Sequence, residues 1–563
     1  MSRIADIDSV KKETASSRSV RRELTATREM SIVLALVALV VLGFGLRLSG
    51  ISAIGFAEDE INKLEAVRAY ERGDIRPNAE HPMLMKALVY VSMQAAHRWN
   101  ARSNSPGDAI QSLNISDEAA LRFPNVLFGA LTVVPLFLLT AAFFDRRTAL
   151  VASALWAFGI NAITYNRIAK EDTLLVFFML FAFYFYLRGK QTSGYEQKSK
   201  RRYYAWSGIS FGLMLASKYF PHYFGLNALY HYLYRVRERA PGEPTGKVPP
   251  LFYILIGVAF LIANPTVLLP QTWEYLNAFT SGQLLTHNGY LMGDTLYKNT
   301  LSGTPFWGTP IYFYTLFLLI KLPLPLLAAL LVGLVECVRR FRQPGHGFLL
   351  LMFVLWIVPY SLMGGKWLRY TVSLMPFVYM IAAVGILALV RWCVSLFKEA
   401  QAARVRQIAG ALVLLVFIAL PAWTAYANRP HYAMYTNLLG GGRMGYYFPH
   451  DEFYDDGLRE ALRFVCQTAP PGATIVHETP GVVRYYLEKF NRPDLQSRVL
   501  SDRSLSIEGL PPPAYVIVQR GRTYFENREK LTLVRARFQK IHEVLVRGVS
   551  AVEVYMQGEK RDE

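Results

Sequence analysis

Acidic residues are crowded just after the first long apolar segment of this chain. Glu58, Asp59 and Glu60 lie in GFAEDEINKLEAVRAYERGD, a few residues beyond Gly50. Like charges in a partly dry cleft raise each other's pKa, so this cluster can supply a general base. A solvated acidic loop, or the first turn of a helix, would explain the same residues more simply. Asp172, in RIAKEDTLLVFF, is a second carboxylate expected at the same depth, where an ionisable residue is functional by default.

Basic residues are expected at the same level, at the mouths of apolar segments. They are Arg122, Arg167, Lys170, Lys218, Lys298, Lys366 and Arg369. Converging cations at a membrane boundary suit an anionic headgroup, most simply a lipid phosphate or pyrophosphate. Snorkelling to lipid headgroups explains any single one of them equally well. Taken together, they favour a site.

The chain that must position these groups has the composition of a membrane protein. Its 563 residues are 52% hydrophobic and 18% charged, which is too apolar for an ordinary soluble protein. Apolar segments near the roughly 20 residues that cross a hydrocarbon core recur along it. We predict eleven spans, at residues 31–49, 120–143, 148–165, 171–187, 203–217, 219–235, 250–270, 308–335, 347–363, 371–391 and 405–427.

Lys and Arg collect at alternate ends of these spans. Positive charge near span ends is retained in the cytoplasm, so the seven basic residues before Met30 predict a cytoplasmic N-terminus. An odd number of spans then places the C-terminus on the outer face. This bias accounts for most of the net charge of +19, so nucleic-acid binding is not predicted. The other basic segments on the cytoplasmic side are 145–148, 188–202, 235–247, 339–343 and 391–406.

The chain divides into three regions. Residues 1–30 form a basic cytoplasmic tail, residues 31–427 form the membrane region that carries the candidate site, and residues 428–563 form a small outer domain. The first outer loop, 50–119, contains AEHPMLMKALVYVSMQAAHRW, which predicts a helix lying on the membrane surface.

The outer domain is predicted to mix helices and strands. Helical spacing at 456–467 and a proline-opened helix at 480–490 alternate with strand-like segments at 473–478, 514–520 and 542–557. The predicted fold class is therefore an α-helical polytopic membrane protein with surface helices in its first outer loop and a C-terminal α/β domain.

The order and membrane depth of these motifs resemble the GT-C membrane glycosyltransferases, in the branch of protein O-mannosyltransferases and lipid A aminoarabinose transferases. Each motif alone is weak, and the set is fairly specific. The segments that carry the resemblance are Asp59-Glu60, His81-Pro82 with Lys86, Arg122-Phe123-Pro124, Arg167 with Asp172, 286–300, 304–327, 366–377 and YTNLLGGG at 435–442. The chain departs from the family in two places, with Met83 where a second proline is usual and with the additional Glu58.

The resemblance implies a GT-C fold and an inverting sugar transfer from a polyprenyl-phosphate donor to a protein, lipid or glycan hydroxyl, at the outer face of the bacterial inner membrane. Asp59 would take the acceptor's proton, while Glu60 and Asp172 would orient a substrate or hold Arg122. The residues expected at the lipid phosphate are Lys86, Arg122, Lys366, Arg369 and Tyr370. Those expected to contact donor or acceptor are His81, Arg167 and His287.

No cofactor is required by this chemistry, because the lipid phosphate is already a good leaving group. His81 and His287, with Glu80, could hold a divalent metal ion as in part of the family, although ordinary polar contacts are the favoured interpretation. Two other classes remain open. A transporter would explain charges within the membrane but usually carries inverted repeats, and a non-catalytic lipid-binding or assembly subunit would leave Asp59 without a role.

Overall fold

The computed structural model describes residues 27, 29–103, 114–238, 240–244, 247–281, 288–300, 307–397 and 403–557, and most of them are helical. The helices are α1 Glu29–Leu48, α2 Glu58–Glu71, α3 Met83–Ser103, α4 Asp117–Leu131, α5 Val133–Phe143, α6 Arg146–Phe158, α7 Ile160–Asn166, α8 Asp172–Gln191, α9 Gln197–Ser217, α10 His222–Leu233, α11 Pro250–Ala263, α12 Pro270–Thr280, α13 Phe313–Lys321, α14 Leu324–Arg339, α15 Pro344–Leu362, α16 Met375–Ser395, α17 Ala403–Ala427, α18 Pro449–Phe453, α19 Leu458–Thr468, α20 Pro480–Lys489 and α21 Arg528–Arg537. The strands are β1 Tyr290–Met292, β2 Thr295–Tyr297, β3 Thr474–His477, β4 Gln496–Val499, β5 Ala514–Gln519, β6 Gln539–Val546 and β7 Val549–Met556.

Several helices are suited to a membrane, as the composition predicted. Among the described residues, six are long and apolar enough to cross one, or seven if α6 and α7, bent by 55°, form one broken span. The six are α1, α4 with α5, α8, α15, α16 and α17. The protein is thus a multi-pass membrane protein. Each predicted span contains a helix, but the count of eleven is not confirmed, because α10 and α11 have only 12 and 14 residues and α9 opens with the charged run QKSKRR.

Local signals explain how the elements near the site begin and bend. Ser116 caps α4 by accepting a hydrogen bond from the Ala119 backbone N–H at 3.2 Å. The bend between α6 and α7 lies at Gly159, where a Cβ atom would collide with the Tyr379 hydroxyl. After this bend α7 ends at Asn166, and a short loop, residues 167–171, leads directly into α8 at Asp172.

The C-terminal region is a mixed α/β domain, as predicted. Its five strands run in the order β4-β3-β5-β7-β6, with β3 parallel to β4 and β5, and β7 antiparallel to β5 and β6. The predicted helices and strands appear as α19, α20, β3, β5, β6 and β7. The sequence prediction missed α18, β4 and α21.

One hydrophobic core joins this domain to the first outer loop. Ile61 and Leu64 of α2 and Met85 of α3 belong to the same buried cluster as Leu462 of α19 and Val482 of α20. The α/β domain therefore packs directly on the helix that carries the acidic motif.

Candidate active site

Asp59 lies in the first turn of α2 and meets three partners from distant parts of the chain. Its Oδ1 is 2.8 Å from Lys170 Nζ, and its Oδ2 is 3.1 Å from Arg369 Nη1. The Tyr454 hydroxyl donates to Oδ2 at 2.7 Å. The Asp59 side chain nevertheless keeps 29% of its surface exposed. The result is a fixed carboxylate that an incoming molecule can still reach.

The cations around Asp59 decide its charge. Burial would raise its pKa, but Lys170, Arg369 and Lys63 outweigh burial and hold the pKa well below its usual range. The sequence-based expectation that crowding raises the pKa is therefore wrong for Asp59. The pKa of Glu58 is raised, mainly by burial and to a smaller extent by the like charges of Asp455 and Asp59, against the opposing effect of Arg522.

Four residues form a row that begins beside Asp59, and we call this row the charged strip. Its members are Arg369, Tyr370, Lys218 and Asp172. The Tyr370 ring centre is 5.7 Å from the Arg369 guanidinium carbon and 4.9 Å from Lys218 Nζ. Lys218 Nζ donates to Asp172 Oδ1 at 2.7 Å.

The strip retains unused hydrogen-bonding capacity. In the described part of the chain, Nε and Nη2 of Arg369 have no hydrogen-bond partner, and its side chain is 17% exposed. The buried Oδ2 atom of Asp172 likewise lacks a partner among the described residues. The strip therefore offers free donors beside an orienting carboxylate.

Arg122, predicted at the lipid phosphate, is fully used inside the protein. Its Nε and Nη2 bind Glu60 Oε1 and Oε2 at 2.8 and 2.5 Å. Nη1 donates to the carbonyls of Ile51 at 2.9 Å and Ile54 at 2.8 Å, and Nη2 to that of Gly55 at 2.6 Å. A guanidinium has five N–H donors, so none is left for a substrate.

Glu60 is equally enclosed, although it is the neighbour of Asp59 in sequence. It is fully buried, and its oxygens also accept from the backbone N–H groups of Ala169 at 3.0 Å and Ala57 at 3.1 Å. Of the roles expected for Glu60, this geometry favours holding Arg122 and does not favour direct catalysis.

The two lysines predicted at the phosphate also bind backbone. Lys86 Nζ donates to the carbonyls of Asn78 and His81, the latter at 2.9 Å, and Lys366 Nζ to that of Thr309 at 2.6 Å. Both lysines are fully buried, and burial lowers their pKa values to about 7 and about 8. They close loops around the site, in contrast to the open cations of the charged strip.

The remaining predicted residues lie apart from the strip or outside the described residues. Arg167 donates to the carbonyls of Ser49 at 2.6 Å and Gly50 at 2.8 Å, where it closes the end of α1. His81 is held neutral, because burial lowers its pKa to about 3. His287 lies outside the described residues, within which no cluster of three or more metal-ligating side chains is found.

Three residues that reach the acidic motif were absent from the sequence-based assignment, and all three follow the last predicted span. Tyr454 binds Asp59, and Arg522 Nη1 donates to Glu58 Oε2 at 2.6 Å. Asp455 Oδ2 accepts from the backbone N–H of Glu58 at 3.0 Å. The one available signal was the polar run DEFYDDG shortly after that span. Sequence spacing cannot connect it to residues nearly four hundred positions earlier.

Comparison with known proteins supports the family resemblance. Residues 109–269 match the family described as dolichyl-phosphate-mannose-protein mannosyltransferase. The matched segment includes Arg122, Lys170, Asp172 and Lys218, and so covers part of the charged strip. The match confirms the predicted resemblance to the GT-C membrane glycosyltransferases.

Similar solved structures are distant. ArnT from Cupriavidus metallidurans bound to undecaprenyl phosphate has 13% identity and a TM-score of 0.49, over 94% of this chain and 98% of that one. The Archaeoglobus fulgidus oligosaccharyltransferase in its apo form has 12% identity and a TM-score of 0.49, over 87% and 69%. Such likenesses leave the substrate open. A search of curated proteins finds no match to the chain.

Proposed function

We propose that this protein is an inverting glycosyltransferase that moves a sugar from a polyprenyl-phosphate donor to a hydroxyl acceptor. The observation that carries the proposal is Asp59, an ionised and reachable carboxylate at one end of a strip of cations with free donors. A base beside an anion-binding strip is what such a transfer needs. The family match over residues 109–269 supports the same class of reaction.

Asp59 acts as the general base in this proposal. The acceptor oxygen attacks the anomeric carbon from the face opposite the phosphate, its proton passes to Asp59, and the bond from carbon to phosphate oxygen breaks with its electron pair. The products are the glycosylated acceptor and the free lipid phosphate. A carboxylate of low pKa suits this step, because the leaving group is good and proton transfer is late.

The charged strip receives the phosphate. Arg369 and Lys218 flank the Tyr370 ring, and together they neutralise the charge that grows on the leaving oxygen. Asp172 orients Lys218 through their 2.7 Å hydrogen bond. Lys170 holds the second oxygen of Asp59, so the carboxylate keeps one direction toward the acceptor.

The proposed reaction takes place on the outer face of the bacterial inner membrane. The positive segments at the opposite span ends support an N-terminus in the cytoplasm and a C-terminal domain outside. The proposal needs the donor lipid, the acceptor and the bilayer, and no further cofactor.

The test is sugar transfer by purified wild-type protein and its Asp59→Asn variant, with a panel of polyprenyl-phosphate pentoses and hexoses. Release of lipid phosphate and labelling of product are measured. Loss of a general base lowers the rate by about 10²- to 10⁴-fold. Asp74→Asn, in the same outer loop but partly exposed and paired with Arg76, is the matched control and keeps wild-type activity.

Two outcomes would contradict the proposal. Full transfer by Asp59→Asn, with a normal unfolding midpoint in detergent, would remove Asp59 as the base. A wild-type protein that binds polyprenyl phosphate but transfers sugar from no donor in the panel would favour the assembly-subunit alternative.

A further inference from the structure

We propose that the C-terminal α/β domain sets the geometry of the catalytic carboxylate, with Tyr454 as the positioning residue for Asp59. The inference rests on the proposed function of Asp59. It gives the outer domain a task in the reaction itself, beyond capping the membrane region or selecting an acceptor.

The first support is the direct bond between the two residues. Tyr454 donates its hydroxyl proton to Asp59 Oδ2 at 2.7 Å. Arg369 Nη1 lies near the same oxygen, and Lys170 Nζ lies 2.8 Å from the other. One hydrogen-bond donor and two ion-pair partners, from three parts of the chain, hold one carboxylate.

The second support is the backbone that presents Tyr454. Tyr454 and Asp455 have φ angles of +46° and +66°, so two successive non-glycine residues adopt the left-handed region. Such conformations persist where surrounding contacts over-determine them, and they cluster at functional sites. Here the conformation is held by hydrogen bonds that the Asp455 side chain accepts from Glu58, Gln519 and Arg522.

Asp455 caps the helix that carries Asp59. The backbone N–H of Glu58 donates to Asp455 Oδ2 at 3.0 Å, whereas the helix's own N-cap residue, Ala57, has no side-chain acceptor. Asp455 Oδ1 accepts from Arg522 Nε at 2.7 Å and from Gln519 Nε2 at 2.8 Å. The first turn of α2 is thus held by a residue almost four hundred positions away.

Arg522 completes the connection to the sheet. It follows β5, and its Nη1 donates to Glu58 Oε2 at 2.6 Å while its Nε holds Asp455. The carboxyl ends of parallel strands are the usual ligand edge of an open α/β sheet. In this domain Arg522 lies at that edge, just beyond the end of β5, and it binds Glu58, the residue directly before Asp59.

Removal of the Tyr454 hydroxyl has a defined chemical effect. Asp59 keeps Lys170, Arg369 and the nearby Lys63, against the like charges of Glu58 and Glu60, but Oδ2 loses a donor. Because a hydrogen bond to the charged form favours ionisation, its loss moves the carboxylate pKa upward. The carboxylate also gains freedom to turn toward Lys170, away from the acceptor.

The experiment compares Tyr454→Phe with Tyr485→Phe. Tyr485 makes the same type of bond at the same interface, to Asp117 Oδ2 at 2.8 Å, and does not contact Asp59. For Tyr454→Phe we expect kcat to fall about tenfold, with donor KM nearly unchanged and the acid limb of the pH profile about one unit higher. For Tyr485→Phe we expect the wild-type profile. Arg522→Lys, which keeps the charge beside Glu58 but loses the fork that holds Asp455, lowers kcat in the same way.

The outcomes separate this inference from the proposed function. An active wild type in which Tyr454→Phe behaves like Tyr485→Phe overturns the positioning role and leaves the transfer reaction standing. An equal loss of kcat at every pH, matched by a lower unfolding midpoint, also overturns it, because that result describes a purely structural contact. If the wild type transfers no sugar from any donor, the proposed function fails and the positioning role fails with it.

Discussion

Asp59 and Glu60 are neighbours on α2, yet they occupy opposite kinds of surroundings. Successive residues of a helix point about 100° apart, so one carboxylate faces the opening and the other faces the protein interior. Glu60 is fully buried and bound by a guanidinium and two backbone amides, whereas Asp59 keeps 29% of its side chain exposed. The same functional group is a structural lock at Glu60 and, in the proposed reaction, the general base at Asp59.

Their cation partners differ in the same way. Arg122 uses all five N–H donors within the protein, whereas Arg369 makes one ion pair and keeps Nε and Nη2 unpartnered among the described residues. A cation can bind substrate only where the fold leaves some of its donors unused. The comparison therefore separates residues that hold the site from residues that work in it.

Loss of the buried charge should have the largest effect. Glu60→Gln leaves the Arg122 guanidinium buried without its counter-charge, which costs about 3–5 kcal/mol of unfolding free energy. Thermal unfolding in detergent measures this loss of stability. Glu65→Gln, on the same helix but in an exposed pair with Arg484, should change stability by less than about 1 kcal/mol. An equally stable Glu60→Gln would show that the pair is not a lock.

Exchange of Arg369 or Arg122 for lysine should separate an effect on donor binding from an effect on stability. Arg369→Lys keeps a charge near Asp59 but loses the free guanidinium donors, so donor KM should rise about tenfold, equivalent to about 1.4 kcal/mol, with little change in unfolding midpoint. Arg122→Lys should lower the midpoint and leave donor KM of the folded fraction unchanged. Steady-state kinetics with a fixed acceptor distinguish the two. A higher donor KM for Arg122→Lys alone would reverse the assignment.

The smallest expected effect is a shift in pH dependence. Burial lowers the pKa of Lys170 to about 8, so this lysine loses its charge as the pH rises through that value, and Asp59 Oδ1 loses its cation. Activity should therefore be steady between the acid limb, where Asp59 is protonated, and about pH 8, and it should fall above about pH 8. In Lys170→Arg the cation persists, and the alkaline limb should move upward. If the alkaline limb of Lys170→Arg stays at the wild-type pH, another group sets this limb. The candidate is then Lys366, whose pKa is also lowered to about 8.

The sequence predicted the fold where periodicity was strong. Apolar segments and basic span ends identified the helices of the membrane region, and β3, β5 and β7 appeared where apolar alternation predicted them. The prediction missed β4, whose residues QSRV are mostly exposed at a sheet edge, and α21, whose sequence REKLTLVRAR is polar overall. Such segments carry little hydrophobic pattern in their sequence. Their structure depends on tertiary contacts, which the sequence pattern does not show.

The site was predicted as a set of charges but not as a set of pairs. Residue type and membrane depth selected Asp59, Asp172 and Arg369, which the structure connects through the charged strip. Some cations use all their donors within the protein and others keep donors free. Which of the two occurs depends on helix rotation and on nearby backbone carbonyls, which sequence spacing does not encode. Tyr454 was out of reach for another reason, since it is joined to Asp59 only by tertiary folding.

The distance between those two residues along the chain also orders their appearance during synthesis. Asp59 emerges early, and its hydroxyl partner follows 395 residues later. All membrane helices that the structure describes lie between or before them. The helix that carries Asp59 is therefore synthesised before Asp455, which caps it, and before Tyr454. Under the proposed function, the full set of contacts around Asp59 exists only once the last domain has packed onto the first loop, so assembly of the reactive carboxylate waits for the end of synthesis.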